Sequence, residues 1–419
     1  MLTKQIGQII DKVDIKNMLG VLLGDFLGQG INYAVNIYIA VHFGALIFGM
    51  VNTGAAIANY VAVIVAFGIP VILSKNIVQQ PNKAAEFIAT AIITRLGITI
   101  LALTALGLFL LFANYSDEEK QIIFLLSFSA SLTIFNLDQS FDALRRSIYH
   151  SMARLLTFNL VYLLLVLIVV NKVEGAPVVY VVMSLVVASM LFSLTNLILF
   201  HKKVLNISFS FNPVLAKELI VEALPILFTS GLNVVYLNFA VSYLRESQGL
   251  FAVAEYSAAS RIILILIMFD VAVMRILVPK ISALIRIPSN QHWFLLSNIA
   301  LYRALYAVPF TLVLYFHNEW IIELVYQGQY KSAAPLLKVF GFWYMGTILN
   351  HFGTYLYTNG YASRFVKWMT FKLVIFLIIS ITLTNEYGSA GAAYGLVLSE
   401  YIAAFALILL LVQAIRRKN

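Results

Sequence analysis

The sequence contains no cysteine. That excludes disulfides, thiolate nucleophiles and zinc–thiolate centres. Charge is scarce as well: Asp, Glu, Lys and Arg make up 11% of the 419 residues, against about 25% in an average soluble protein. Long polar stretches are missing. The longest connection runs from about Phe200 to Val221, so no soluble domain fits anywhere. The six histidines show no HxxxH-type spacing. What remains is a chain that is 61% apolar, which reads as a polytopic membrane protein whose binding or chemistry takes place in the bilayer or at its faces.

A helix needs about 20 apolar residues to cross the hydrocarbon core. Twelve stretches qualify: 18–42, 47–72, 87–113, 120–137, 153–170, 177–200, 222–244, 251–278, 296–316, 333–357, 366–384 and 390–414. The segment before the first is short and polar and does not read as a cleavable signal. With that segment in the cytoplasm, twenty of the 28 lysines and arginines fall on cytoplasmic segments. Lys372 is among those twenty, and only Lys120, Lys172, Arg245 and Lys331 fall outside. This asymmetry places both termini in the cytoplasm and explains the net charge of +9 as a topology signal, not a nucleic-acid footprint.

The chain repeats itself weakly. "TFNLVYLLLVLIVVNKVEG" from Thr157 matches "TFKLVIFLIISITLTNEYG" from Thr370 at an offset near half the length, closing on Gly175 and Gly388. Each half holds an even number of spans, so the halves run parallel, a recurring plan of secondary transporters. The expected division is 1–203 and 204–419, each a six-helix lobe.

Ionisable residues within spans are costly and are kept for a cavity or a partner. In the eighth span Arg261 and Asp270 lie nine residues apart, on opposite faces and roughly 13 Å apart along the axis. They cannot neutralise each other. Ser257, Arg261 and Arg275 share one face, a cationic track. Arg261 is either a structural clamp or a cavity-facing anion site; Asp270 is either a salt-bridge partner or an ion-coupling group. In the first span Asp25 either pairs or binds a proton or cation, and Asn32 and Asn36 lie further along. Arg95 in the third span reads as a structural partner. Arg303 and Lys338 are close enough to interfaces to snorkel, and Glu400 in the twelfth span expects a structural partner such as Lys338. Tyr256, Tyr236 and Tyr33 are candidates for stacking on sugar rings.

"FGALIFGMVNTGAAIANYVAVIVAFGIPVILSKNI" (Phe43–Ile77), "EALPILFTSGLN", "VAEYSAASRI", "LVYQGQYKSAAPLLKVFG" and "NEYGSAGAAYGLVLSEYIAA" run in order along the whole chain. In order and spacing they resemble the O-antigen and polysaccharide flippases of the multidrug/oligosaccharidyl-lipid/polysaccharide exporter superfamily. The resemblance implies an all-α protein of two parallel six-helix lobes, V-shaped, with a central cavity lined mainly by spans 1, 2, 7 and 8. It implies no enzyme and no cofactor. The implied activity is translocation of undecaprenyl-pyrophosphate-linked oligosaccharide across the bacterial inner membrane, coupled to H+ or Na+, with a polysaccharide polymerase and chain-length regulator as partners. The lipid II flippases carry two further C-terminal spans, so peptidoglycan precursor is not the expected cargo. On this reading Arg261, Ser257, Arg275, Asn32, Asn36 and Tyr256 meet substrate, and Asp25, Asp270, Arg95 and Glu400 form the coupling or buried charge set. The alternatives are a multidrug/cation antiporter of the same superfamily and a membrane polysaccharide polymerase or ligase.

The topology is directly testable. A cysteine placed at Ser116 is expected to react with an impermeant thiol reagent on intact cells, and one at Asn206 only after permeabilisation. The reverse pattern would invert the map.

Overall fold

A computed structural model describes residues 12–172, 178–206, 210–286, 288 and 291–416. Gly175, and Lys4, Arg417 and Lys418 among the twenty cytoplasmic cations, lie outside them. Among the described residues there is no strand. The helices are α1 (Lys12–Ala66), α2 (Ile69–Gln79), α3 (Ala84–Phe112), α4 (Asp117–Ser131), α5 (Asp138–Ala143), α6 (Ser147–Ala153), α7 (Leu160–Lys172) and α8 (Val178–Lys203). They continue with α9 (Pro213–Ser247), α10 (Leu250–Ala283), α11 (His292–Phe316), α12 (Asn318–Tyr326), α13 (Ala333–Gly346), α14 (His351–Thr358) and α15 (Ala362–Arg416).

Among the described residues, nine helical stretches are long and apolar enough to cross a membrane. Two of them, 24–79 and 362–415, each carry two of the expected spans. α1 is interrupted at Gly44 (φ 77°) and α15 at Gly388 (φ 56°), backbone conformations that a side chain disfavours. The tenth span does not form one helix. α13 and α14 are separated by a 3₁₀ turn at Thr347–Asn350, which removes it from a count by continuous length. With the two kinked helices divided and the broken tenth span included, the twelve expected spans are recovered.

The helices overrun the hydrocarbon. α10 has 34 residues, about 50 Å of helix against a core of about 30 Å. The fourth span begins on a capping box: Ser116 Oγ accepts from the Glu119 N–H at 3.2 Å, and Glu119 Oε2 accepts from the Ser116 N–H at 2.9 Å. It then breaks into a 3₁₀ turn at Leu132–Phe135 before the short helix α5.

The chain divides into two compact units, one of residues 1–38 and 57–231, the other of 39–56 and 232–419. In the first, α2 packs Ile69, Ile72 and Ile77 against Phe87, Ile88 and Phe141. Arg95 of α3 is 4% exposed, buried as a structural partner should be. Its guanidinium donates to three carbonyls: Thr133 (3.0 Å), Ile134 (3.3 Å) and Val65 (3.3 Å). Two of these belong to the 3₁₀ break of the fourth span, and the third lies at the end of α1 before the chain turns left-handed at Phe67 and Gly68. In the second unit, Phe352, Tyr355, Trp368, Leu407 and Leu411 form the main core.

Arg95→Ala would take the side-chain donor from three carbonyls at once. A loss of at least about 3 kcal/mol is expected, read as a lower unfolding midpoint of the detergent-purified protein, with Arg95→Lys intermediate. An unchanged midpoint for Arg95→Ala would overturn the clamp.

Candidate functional site

Two acidic residues of the second unit, Asp270 and Glu400, are held by cations. Asp270 on α10 meets Arg303 on α11: Arg303 Nη2 donates to both carboxylate oxygens at 2.8 and 2.7 Å, and Nε to Oδ1 at 3.1 Å. Tyr306 OH adds a further bond to Oδ1 at 2.5 Å. Arg303 is 2% exposed, so it does not snorkel to an interface as expected from its position in the ninth span. The carboxylate opposite it, and the Ile348 carbonyl that accepts from Nη1 at 2.6 Å, keep it inside. Ile348 lies in the 3₁₀ break of the tenth span, so Arg303 repairs that break as Arg95 repairs the fourth.

Glu400 is 1% exposed and pairs with Lys372 at 2.8 Å. Tyr236 OH and Trp343 Nε1 also donate to Glu400 Oε2, at 2.6 and 3.1 Å. The expected partner was Lys338, but that ammonium lies over the Tyr315 ring, 5.7 Å from its centroid. Lys372, counted above among the cytoplasmic charges, is instead a buried residue of the eleventh span, with its ammonium 4.3 Å from the centroid of Tyr236. Its positive charge near the start of the span favoured a cytoplasmic reading, and only its place in "TFKLV", opposite Asn159 in "TFNLV", marks it as internal. A cavity of about 190 Å³ is lined by Asp270, Lys372 and Glu400 together with Asn233, Tyr236 and Asn350.

Arg261 of α10 donates from Nη2 to Asn52 Oδ1 at 2.7 Å, and Asn52 Nδ2 donates to the Phe48 carbonyl at 2.7 Å. Asn52 was not singled out in the sequence, although "MVNTGAA" places an amide deep in an apolar span. Ser257, one turn before Arg261, is 2% exposed, and its hydroxyl has no hydrogen-bond partner. Tyr256 is a core residue, buried edge-on against Phe340 at 5.1 Å between centroids, so no sugar reaches it here. Tyr236 is equally buried, because Glu400 claims its hydroxyl. Arg275 is exposed. Arg261 and Arg275 therefore share a helix face but not an environment.

In the first unit, Asn32 Nδ2 donates to Asn159 Oδ1 at 3.3 Å, and Asn36 bonds the Asn32 carbonyl within its own helix at 2.8 Å. Asn159 closes a π-helical turn at Arg154–Asn159 and is itself buried. Asp25 accepts from Ser151 Oγ at 3.4 Å. Arg95, with Asn136 and Asp138, lines a second cavity of about 330 Å³. The structure thus gathers the predicted residues into separate clusters: Asp270 and Glu400 on one cavity, Arg261 and Ser257 along α10, Asn32 with Asn36, and Asp25 and Arg95 apart. Among the described residues no cluster of three or more His, Asp or Glu side chains is arranged to hold a metal ion.

The sequence matches the family described as "Polysaccharide biosynthesis protein" over residues 15–285. No curated protein sequence matches it. Among solved structures, the lipid II flippase MurJ in an inward closed conformation is similar at a TM-score of 0.69 and 14% identity, over 94% of this chain and 87% of that one. An inward-facing multidrug resistance MATE family transporter of the MOP superfamily gives 0.69 and 14%, over 93% and 95%. The Vibrio cholerae MATE transporter VcmN in its bent form gives 0.59 and 15%, over 97% of each chain. At these identities the likeness establishes a shared all-helical transporter fold.

The Asp270–Arg303 pair yields a test. Arg303→Ala leaves a buried carboxylate without its cation and is expected to cost about 3–5 kcal/mol of stability in detergent. In an Asp270→Asn background the same change should cost markedly less, and the difference measures the coupling. Equal costs in the two backgrounds would show that the pair is not coupled.

Proposed function

The chain belongs to the polysaccharide biosynthesis protein family, and from that premise we propose that it flips undecaprenyl-pyrophosphate-linked oligosaccharide from the cytoplasmic to the outer leaflet of the bacterial inner membrane. The physical task is to move sugars and a pyrophosphate past hydrocarbon, where burying such groups unpaired is prohibitive. Side-chain amides, hydroxyls and arginine replace their water, while the polyprenyl tail stays in lipid. Arg261 is the pyrophosphate contact in this reading: its charge is permanent and its planar fork matches phosphate oxygens. Exposure of the site first to one face and then to the other completes the cycle, driven by H+ or Na+. Two six-helix lobes with their boundary near 203/204 and both termini in the cytoplasm go with this reading. So does handover to a polysaccharide polymerase and chain-length regulator.

The observation that carries the choice of an anionic cargo is the closure of Asp270 and Glu400 by cations. Asp270 is held by Arg303 and Glu400 by Lys372. A multidrug/cation antiporter needs acidic groups open to a cationic drug, and these are already neutralised. A polymerase or ligase needs a large outer loop to hold sugars. Here the longest connection between described helices, from Lys203 to Pro213, joins α8 to α9 and falls on the cytoplasmic side of the proposed topology. Asp25, Asp270 and Glu400 remain the groups through which an ion gradient would act, each by exchanging its present partner for a proton or cation.

Arg261→Ala is expected to abolish surface polysaccharide in the native host while the protein still inserts at normal levels. Arg261→Lys should restore export only in part, because it keeps the charge and loses the fork. Normal polysaccharide from the alanine variant would sink this reading.

A further inference from the structure

Residues 39–56 are flanked on both sides by segments of the first unit, yet they pack in the second. Specific contacts hold them there. Tyr330 OH donates to the Ala40 carbonyl at 2.9 Å and Gln329 Nε2 to the Val41 carbonyl at 2.8 Å. Phe48 meets the Tyr330 ring edge-on at 5.7 Å. Gly49 lies so close to the Leu250 carbonyl that any Cβ would overlap it. Asn52 accepts the Arg261 guanidinium at 2.7 Å.

This last bond joins unequal partners. A guanidinium is a full charge, and an amide oxygen is a neutral acceptor; an ionised oxygen binds such a donor roughly twice as strongly. Close in sequence to each bonded residue is a buried hydroxyl with no hydrogen bond: Thr53 Oγ1, one residue after Asn52, and Ser257 Oγ, one turn before Arg261. Thr53 and Ser257 are 1% and 2% exposed. Buried hydroxyls are nearly always satisfied, so these two call for a partner that another state of the protein would supply.

We propose that Asn52 is a placeholder acceptor and that its bond to Arg261 is an anion-released latch. While no anion is present, Asn52 holds the Nη2 end of the guanidinium and residues 39–56 stay packed. A phosphate or pyrophosphate group outcompetes the amide for Arg261. Asn52 is then released, residues 39–56 loosen, and the hydroxyls of Thr53 and Ser257 gain water or ligand as partners. The anion part rests on the cargo reading above; the latch itself rests on the geometry. Arrival of cargo and opening of this contact are thereby one event.

The absence of native cysteine supplies the test. The full-length chain carrying Thr53→Cys is reconstituted in liposomes, and its labelling rate by a water-soluble maleimide is measured. Asn52→Ala is expected to raise the rate about tenfold, the size of one lost charge-assisted hydrogen bond. Asn52→Asp is expected to lower it below the parent, because a carboxylate holds the guanidinium more firmly. Opposite signs at one position separate a latch from general loosening. Inorganic pyrophosphate is expected to accelerate labelling of the parent and leave an Arg261→Gln version unchanged. Asn52 variants that both match the parent, or that shift the rate in the same direction, would overturn the latch. If they shift as expected while pyrophosphate has no effect, the latch stands, and the anion trigger and the cargo reading it depends on are overturned.

Discussion

In hydrocarbon a backbone carbonyl without a donor has no water to turn to, and this constraint organises both units. The fourth and tenth spans are each interrupted by a 3₁₀ turn, at 132–135 and 347–350. Each break is met by an arginine from the preceding span, Arg95 in one unit and Arg303 in the other. Five guanidinium N–H groups spread over three nitrogens in a fixed fork reach carbonyls set apart from one another, whereas a lysine offers three donors from a single nitrogen. The break and its clamp are one device used twice. Its second use has an addition: Arg303 also carries Asp270 and is thereby tied to the eighth span.

The halves differ most where their sequences still align. Asn159 and Lys372 occupy the same place in the internal repeat. Asn159 makes an amide pair with Asn32, whereas Lys372 makes an ion pair with Glu400 over the face of Tyr236. An amide pair does not titrate, and an ion pair in a small polar cavity can exchange its partner for a proton or a cation. Both charge pairs described above, Asp270–Arg303 and Glu400–Lys372, lie in the second unit, while in the first Asp25 accepts a long bond from Ser151.

Much of the architecture was legible because it is written in composition. Runs of about twenty apolar residues locate spans regardless of what packs on them. The tenth span was legible as an apolar run but not as a broken one, because a 3₁₀ turn needs no glycine or proline; the donor that satisfies it, Arg303, lies 45 residues away in sequence. The charges were legible as anomalies, not as pairs. That Arg261 and Asp270 must each look elsewhere followed from helix geometry. That they find Asn52 and Arg303 depends on which helices are neighbours, and no periodicity reports this. Lys372 was misplaced because a positive charge near a span end normally reads as a topology marker. Glu400 and two aromatic rings hold it inside instead.

The placement of residues 39–56 bears on how the protein is made. Their packing partners, from Leu250 to Tyr330, leave the ribosome long after they do. At synthesis rates of about 5–20 residues per second, the roughly 270 residues between Ala56 and Tyr330 take on the order of 15 to 55 s. For that interval the Gly44 break, Asn52 and Thr53 sit in the bilayer without the surface that later covers them. A nascent chain in this condition keeps polar groups uncovered until their partners are made. The early half of the protein is therefore vulnerable until the late half arrives, and destabilising changes in α10 or in residues 326–330 would be felt first as loss of the chain during biogenesis.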